Sequence, residues 1–396
     1  LACLKLVFQE PGRDSSLEGD GSSEISARGL SGSLLRSGQV GAGQVSTRRA
    51  DHVVECPHCR GAAPAAGAAM ALPADFVAGL AAGGAELRMA LPDGRAAVGV
   101  IEMRTPGPDG TIDGISGSLV EPDAGRFFFQ REREQGVSWP LSGGIEILSC
   151  NTAYRVETRG EGESWLVALP ADAVVCRGIP SDGGGSDLRE QRLPSEHPSS
   201  GSIPAYQNGV VPLESVPGAL AVAYLDFDGE PGPHFQWGNF DAESFNFDNG
   251  TIREIWLQVA EDFAPFNINV TTDLAVYLAA PVQSRQRCIV TPTKNASPTA
   301  GGVAYIGSFN NSAEVSCWAF NHATSDTCAD TISHELGHTL GLRHDGRTSP
   351  SEEYYDGHGT GTFSWGPIMG SPFYKSITQW SKGEYSGASR IEDDLA

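Results

Sequence analysis

The sequence lacks long hydrophobic runs. No stretch of its 396 residues approaches the ~20 apolar residues that a membrane-spanning helix needs. It is also poor in positive charge. Lysine and arginine total 27 against 49 acidic residues, a formal net charge of -22. A chain of this sign is repelled by nucleic acid and anionic lipid and is expected to bind neither. Methionine is scarce: there are four, and Met369 is the only one after Met103. Eight cysteines are too few for a dense disulfide framework, so a few bridges with some thiols left over are expected. No second C-x-x-C pair accompanies Cys56 and Cys59, which alone fall two ligands short of a structural zinc site. That pair is expected to be exposed thiols or a small disulfide.

Glycine (49) and proline (25) are plentiful and predict many turns. The apolar share, 40 %, is that of a globular chain, and the length suggests two or three domains. Residues 1–65 are rich in Gly, Ser, Arg and Ala without a sustained period, which predicts disorder. Residues 66–179 carry short β-like runs such as "GRFFFQRE", "IEILSC" and "SWLVALP", and a turn at Pro92-Asp93-Gly94; a small all-β domain is expected. Residues 180–205 read as an exposed Gly/Ser/Pro linker open to proteolysis. Residues 206–396 change to a mixed α/β texture. There "ALAVAYLDF" and "NINVTT" read as strands. Residues 251–266 read as an amphipathic helix with Ile252, Ile255, Trp256, Val259 and Phe263 on one face, ended by Pro265.

The chemistry concentrates in "ISHELGHTLGLRHDG", residues 332–346. On a helix turning 100° per residue, His334 and His338 point the same way, one turn apart. Ile332, Leu336 and Leu340 fall on the opposite side. Glu335 sits beside the imidazoles without pointing along them, so it can take a proton from a metal-bound water without being a ligand. Gly341 lets the chain leave the helix through positive φ, and His344 then returns from another direction. Three neutral imidazoles leave the fourth position of a tetrahedral zinc site open.

The string His334-Glu335-x-x-His338-x-x-Gly341-x-x-His344 resembles the signature of metzincin zinc metallopeptidases. Asp345, after the third histidine, resembles the adamalysin (reprolysin) branch, and the tail "TQWSKGEYSGAS" is similar to secreted bacterial members. The resemblance implies a catalytic domain over 206–396 with a twisted, mostly parallel sheet and an active-site helix, giving a mixed α+β fold. It implies one catalytic Zn2+, a protein or peptide substrate, a monomer and secretion. It also implies that Met369, in "GPIMGSP", is an apolar floor beneath the histidines. In "GGVAYIGSF", Val303, Ala304 and Tyr305 match the edge strand that would pair with extended substrate; an interior strand is the alternative. For a secreted enzyme a bridge between Cys317 and Cys328 is expected over two reduced thiols, worth up to about 3 kcal/mol. Asp226 and Asp228 beside Gly229 are weighed as a calcium corner, but the ligand count falls short, and a strand end with solvated carboxylates is expected.

Such a peptidase needs latency, and residues 66–179 are expected to be its prodomain. In matrixins, relatives of this clan, a propeptide cysteine fills the open zinc position. Here "VVCRGIPSD" places Cys176 just before the linker, with similar residue types in a different order. Cys176 is therefore read either as a latency switch, as a partner for Cys150, or as a plain buried thiol. Two other functions stay open. One is a non-catalytic metzincin-fold binding or adhesion protein, which the retained Glu335 opposes. The other is a β domain that stays attached and binds a surface or polysaccharide.

Overall fold

The computed structural model describes residues 67–396, apart from 108, 132, 135–136, 139, 148–151, 161, 177–178, 180–208 and 312. The expectations for residues 1–65, for Cys56, Cys59 and Cys150, and for the 180–205 linker lie outside the described residues.

The N-terminal part builds an eight-stranded antiparallel sheet. Its order is Ala69–Ala71, Glu163–Leu169, Thr152–Arg159, Ser142–Ile147, Gly125–Gln130, Ile112–Glu121, Ala96–Pro106, Glu86–Ala90. The turn at Pro92-Asp93-Gly94 joins the last two, and Gly94 takes φ 84° there, a conformation that only glycine adopts without strain. A short helix, α1 (Phe76–Ala82), packs on one face, with the Phe76 and Phe129 rings 4.9 Å apart. The strand Gly125–Gln130 explains its own triple phenylalanine. Side chains alternate along a strand. Phe127 and Phe129 enter the core beneath α1, while Phe128 faces the other way and meets Tyr305 at 5.4 Å.

The second sheet has six strands, in the order Val175–Cys176, Gly302–Tyr305, Cys317–Ala319, Arg285–Val290, Ala221–Asp226, Ile268–Thr271. The last four are mutually parallel. Gly302–Tyr305 runs antiparallel to its sheet neighbour, and Val175–Cys176 antiparallel to it in turn. Two longer helices cover one face: α2 (Asn249–Asp262) and, after the short α3 (Leu274–Ala279), α4 (Ser325–Leu340). Helix α2 starts where the Asp248 carboxylate accepts from Thr251 N at 3.0 Å. It buries Ile252, Ile255 and Val259, with Phe263 just past its end, against Cys328, Ala329, Ile332 and Leu336 of α4. Among the described residues no helix is long and apolar enough to cross a membrane.

Three expectations change. Cys317 and Cys328 are thiols, not a disulfide. Thr324 caps α4 and sets Cys328 on its core side, where both sulfurs pack as small apolar groups beside Cys288. Asp226 is neither solvated nor a calcium ligand: it is fully buried and ion-paired to Arg287, which also reaches Glu230. Leu340 does not join Ile332 and Leu336 in the core. It lies at the end of α4, 37 % exposed.

Candidate metal centre

Helix α4 is held at both ends before it presents any chemistry. At its start Thr324 Oγ1 accepts from Thr327 N, and Thr327 Oγ1 accepts from Thr324 N, at 3.0 and 3.1 Å. At its end Gly341 takes φ 109°. That reversal lets Leu342 N bond back to the Gly337 carbonyl at 3.1 Å. It also brings the Leu342 carbonyl to Nδ1 of His338 at 2.8 Å. Mid-helix, Ser333 donates to Asp262 Oδ2 at 2.7 Å, tying α4 to α2.

The three histidines converge. Nε2 of His334 and Nε2 of His338 are 3.0 Å apart. His344 closes the group, its ring 4.8 Å from that of His338. Each Nδ1 meets an oxygen: the Ile368 carbonyl for His334 at 2.8 Å, the Leu342 carbonyl for His338, and Glu353 Oε1 for His344 at 3.0 Å. A carbonyl can only accept, so Nδ1 of His334 and His338 carries the proton and each Nε2 presents a lone pair. Two lone pairs 3.0 Å apart repel unless a cation or a proton lies between them. Burial, reinforced by the neighbouring histidines, pushes the pKa of His334 down to about 3 and that of His338 well below its usual value. His334 and His338 are thus held neutral, the form that binds metal.

Cys176 is the fourth member. Its Sγ lies 3.2 Å from Nε2 of His344. The thiol and the three histidines offer four donor atoms all within 4.8 Å of one another. A tetrahedral zinc ion with bonds of about 2.0–2.3 Å spans donor separations of roughly 3.3–3.8 Å; the 3.0 and 3.2 Å pairs here are a few tenths shorter, and the donor set, three imidazole nitrogens and a thiol, is one that zinc takes. No disulfide engages Cys176, which removes the reading that paired it with Cys150. The thiol arrives on the strand Val175–Cys176, in register with Tyr305 and Ala304. The pairing extends beyond the strand: Ile306 N donates to the Val174 carbonyl and Gly301 N to the Ile179 carbonyl, both at 2.8 Å. Val303, Ala304 and Tyr305 are buried, with the Cys176 strand on one side and Cys317–Ala319 on the other. Arg343 fastens the same segment by donating to the Asp172 and Ala173 carbonyls at 3.1 and 3.4 Å.

Glu335 is fully buried, and neither carboxylate oxygen has a hydrogen-bond partner. Burial pushes its carboxyl well above the usual carboxylate range, with Cys317 adding to the effect. An orphaned buried carboxylate, one residue along α4 from His334, is costly on its own and suits a site that takes up positive charge. Its position depends on a glycine. A Cβ built at Gly302 would lie 2.5 Å from Glu335 Oε1.

Met369 is fully buried beneath α4, where a Cβ at Gly337 would lie 2.6 Å from its Sδ. The Met369 carbonyl accepts from Asp345 N at 2.8 Å. Asp345 is buried and takes a hydrogen bond from Tyr385 at 3.3 Å; burial pushes its carboxyl up to about 6. Asp345 thus fastens the turn after His344 to the segment carrying Met369.

Two neighbours escaped the motif reading. Glu353 receives the Nδ1 hydrogen of His344, and that bond holds its carboxyl below the usual value. The Tyr354 ring sits 4.2 Å from the His344 ring and 6.1 Å from that of His334. Its hydroxyl hydrogen-bonds with the Cys176 thiol, and burial raises its pKa. Both residues lie 9 to 10 positions past His344, at no helical spacing, so no periodic signal marks them.

No curated protein and no solved structure matches the chain. A family model does: residues 263–381, which span α4, His344 and Met369, match Reprolysin_5, metallo-peptidase family M12. Through that segment, less than a third of the chain, the protein is similar to the reprolysin-like, metzincin-type metallopeptidases.

Proposed function

We propose that the protein is a secreted zinc endopeptidase made in latent form, with residues 206–396 as a metzincin-like catalytic domain and 66–179 as its prodomain. The observation that carries this reading is the convergence of three oriented imidazoles, two of them held neutral, on the helix and turn that also carry the orphaned, buried Glu335. His334, His338 and His344 would hold the ion through Nε2. Zinc bound there supplies positive charge that makes water acidic near neutral pH, polarises a carbonyl and keeps Glu335 ionised. Glu335 then takes a proton from the attacking water and passes it to the leaving amine. Met369 and Asp345 keep the imidazoles in place from below.

Latency on this reading has two parts. Cys176 occupies the open position that the reacting oxygens, of water and of the substrate carbonyl, need. The strand carrying it covers Ala304 and Tyr305, which with Val303 would offer main-chain groups to an extended peptide. A substrate strand and the Cys176 strand compete for the same hydrogen bonds, so cutting within the 180–205 linker would let the blocking strand leave.

The test is hydrolysis of casein or gelatin by the chain after cleavage in the linker. Activity should vanish with a zinc chelator and with Glu335→Ala, while Glu335→Ala still binds one zinc per chain. Proteolysis that survives both treatments would refute the reading.

A further inference from the structure

We propose that Tyr354 is a catalytic residue: its hydroxyl donates a hydrogen bond to the scissile carbonyl oxygen as that oxygen becomes negative. The inference rests on the zinc-peptidase reading and adds a group that neither the motif nor the family match assigns.

The argument starts from what Cys176 touches. Its sulfur stands among three imidazole Nε2 atoms, at the place a substrate oxygen must occupy once the thiol leaves. The Tyr354 hydroxyl bonds to that sulfur and is near enough to Glu335 to feel its charge. It therefore already lies within hydrogen-bond reach of the reacting position. Its ring is fixed at 4.2 Å from the His344 ring, so the hydroxyl is aimed before substrate arrives. Preorganised donors at developing negative charge lower barriers more than flexible ones.

The step balances without consuming the tyrosine. Water adds to the scissile carbonyl carbon, and the carbonyl π pair moves to oxygen. The water proton goes to Glu335. When the C–N bond breaks, Glu335 returns that proton to the departing amine. Tyr354 keeps its own proton throughout and contributes a hydrogen bond alone.

The experiment uses the zinc-loaded full chain, nicked in the 180–205 linker, as parent and as Tyr354→Phe. The phenylalanine keeps the ring against His344 and removes the donor. Losing one such donor is expected to lower kcat about 100-fold, with KM and zinc content little changed. Affinity for a phosphinic peptide, whose tetrahedral P–O⁻ mimics the charged oxygen, should weaken by a similar factor. Affinity for a product peptide should not. Unchanged kcat, a kcat loss without weaker phosphinic binding, or loss of zinc would each overturn the proposal, the last by assigning Tyr354 a structural role. Failure of the underlying reading looks different: the nicked parent itself would be inert, or active without zinc.

Discussion

The Sγ of Cys176 lies 3.2 Å from Nε2 of His344, although 168 residues separate them along the chain. The contact joins the end of the N-terminal part to the last of the three histidines. If the thiol blocks the site, Cys176→Ala in the uncleaved chain should open it. Even 1.4 kcal/mol lost from that contact corresponds to about tenfold more of the open state, so uncleaved Cys176→Ala should hydrolyse casein at least that much faster than the parent. Full activity is not expected, because the strand still covers Tyr305 and Ala304. A variant as latent as the parent would remove Cys176 from the mechanism.

Gly302 faces Glu335 so closely that a methyl group has no room. Gly302→Ala should push the glutamate or the strand aside while leaving all three histidines in place. A misplacement of about 1 Å can cost on the order of 100-fold in rate. The nicked Gly302→Ala chain is expected to bind zinc normally and lose at least that much kcat. Parent-like turnover would show that the crowding is relieved without moving Glu335.

Gly337 lies inside α4, where alanine is ordinarily favoured by about 1 kcal/mol. Here a Cβ would meet Met369 Sδ at 2.6 Å and the Trp380 ring at 3.1 Å. Overpacking of a tight core typically costs about 1–3 kcal/mol, which outweighs the propensity gain. Chemical denaturation should find Gly337→Ala less stable than the parent. A more stable variant would mean that the floor under the helix is soft.

Asp262 accepts from Ser333, and burial pushes its carboxyl up to about 7 from the ordinary 3.8. The folded state therefore holds a proton that the unfolded chain has already released. This contribution to stability is complete below about pH 4 and is lost as pH rises through 7. Asp262→Asn keeps an acceptor for Ser333 and removes the charge. Its melting temperature should rise relative to the parent, and more at pH 8 than at pH 5. Equal shifts at the two pH values would contradict the assignment.

Much of the centre was legible because its rules are local. A rotation of 100° per residue fixes His334 and His338 on one face. Gly341 is the residue that can take φ 109° at a helix end, and it does. Helix α2 ends just ahead of Pro265, as its sequence demands. The local rule failed for Leu340, where the face that period assigns runs past the end of the packed core. It failed for Cys317 and Cys328 because loop length says nothing about which way each sulfur points. It failed for Asp226 because Arg287, its partner, is 61 residues away.

The sequence by itself determined the ligand helix, its exit and the types of donor atom, since these follow from backbone geometry over a dozen residues. Only the tertiary structure decided what surrounds them. It set Cys176 against His344, Gly302 against Glu335, the Ile368 carbonyl on Nδ1 of His334, and Tyr354 beside the thiol. Except for the Tyr354–His344 neighbourhood, these contacts join residues more than 30 positions apart. Sheet pairing and core packing create them, and neither leaves a period that a single sequence displays.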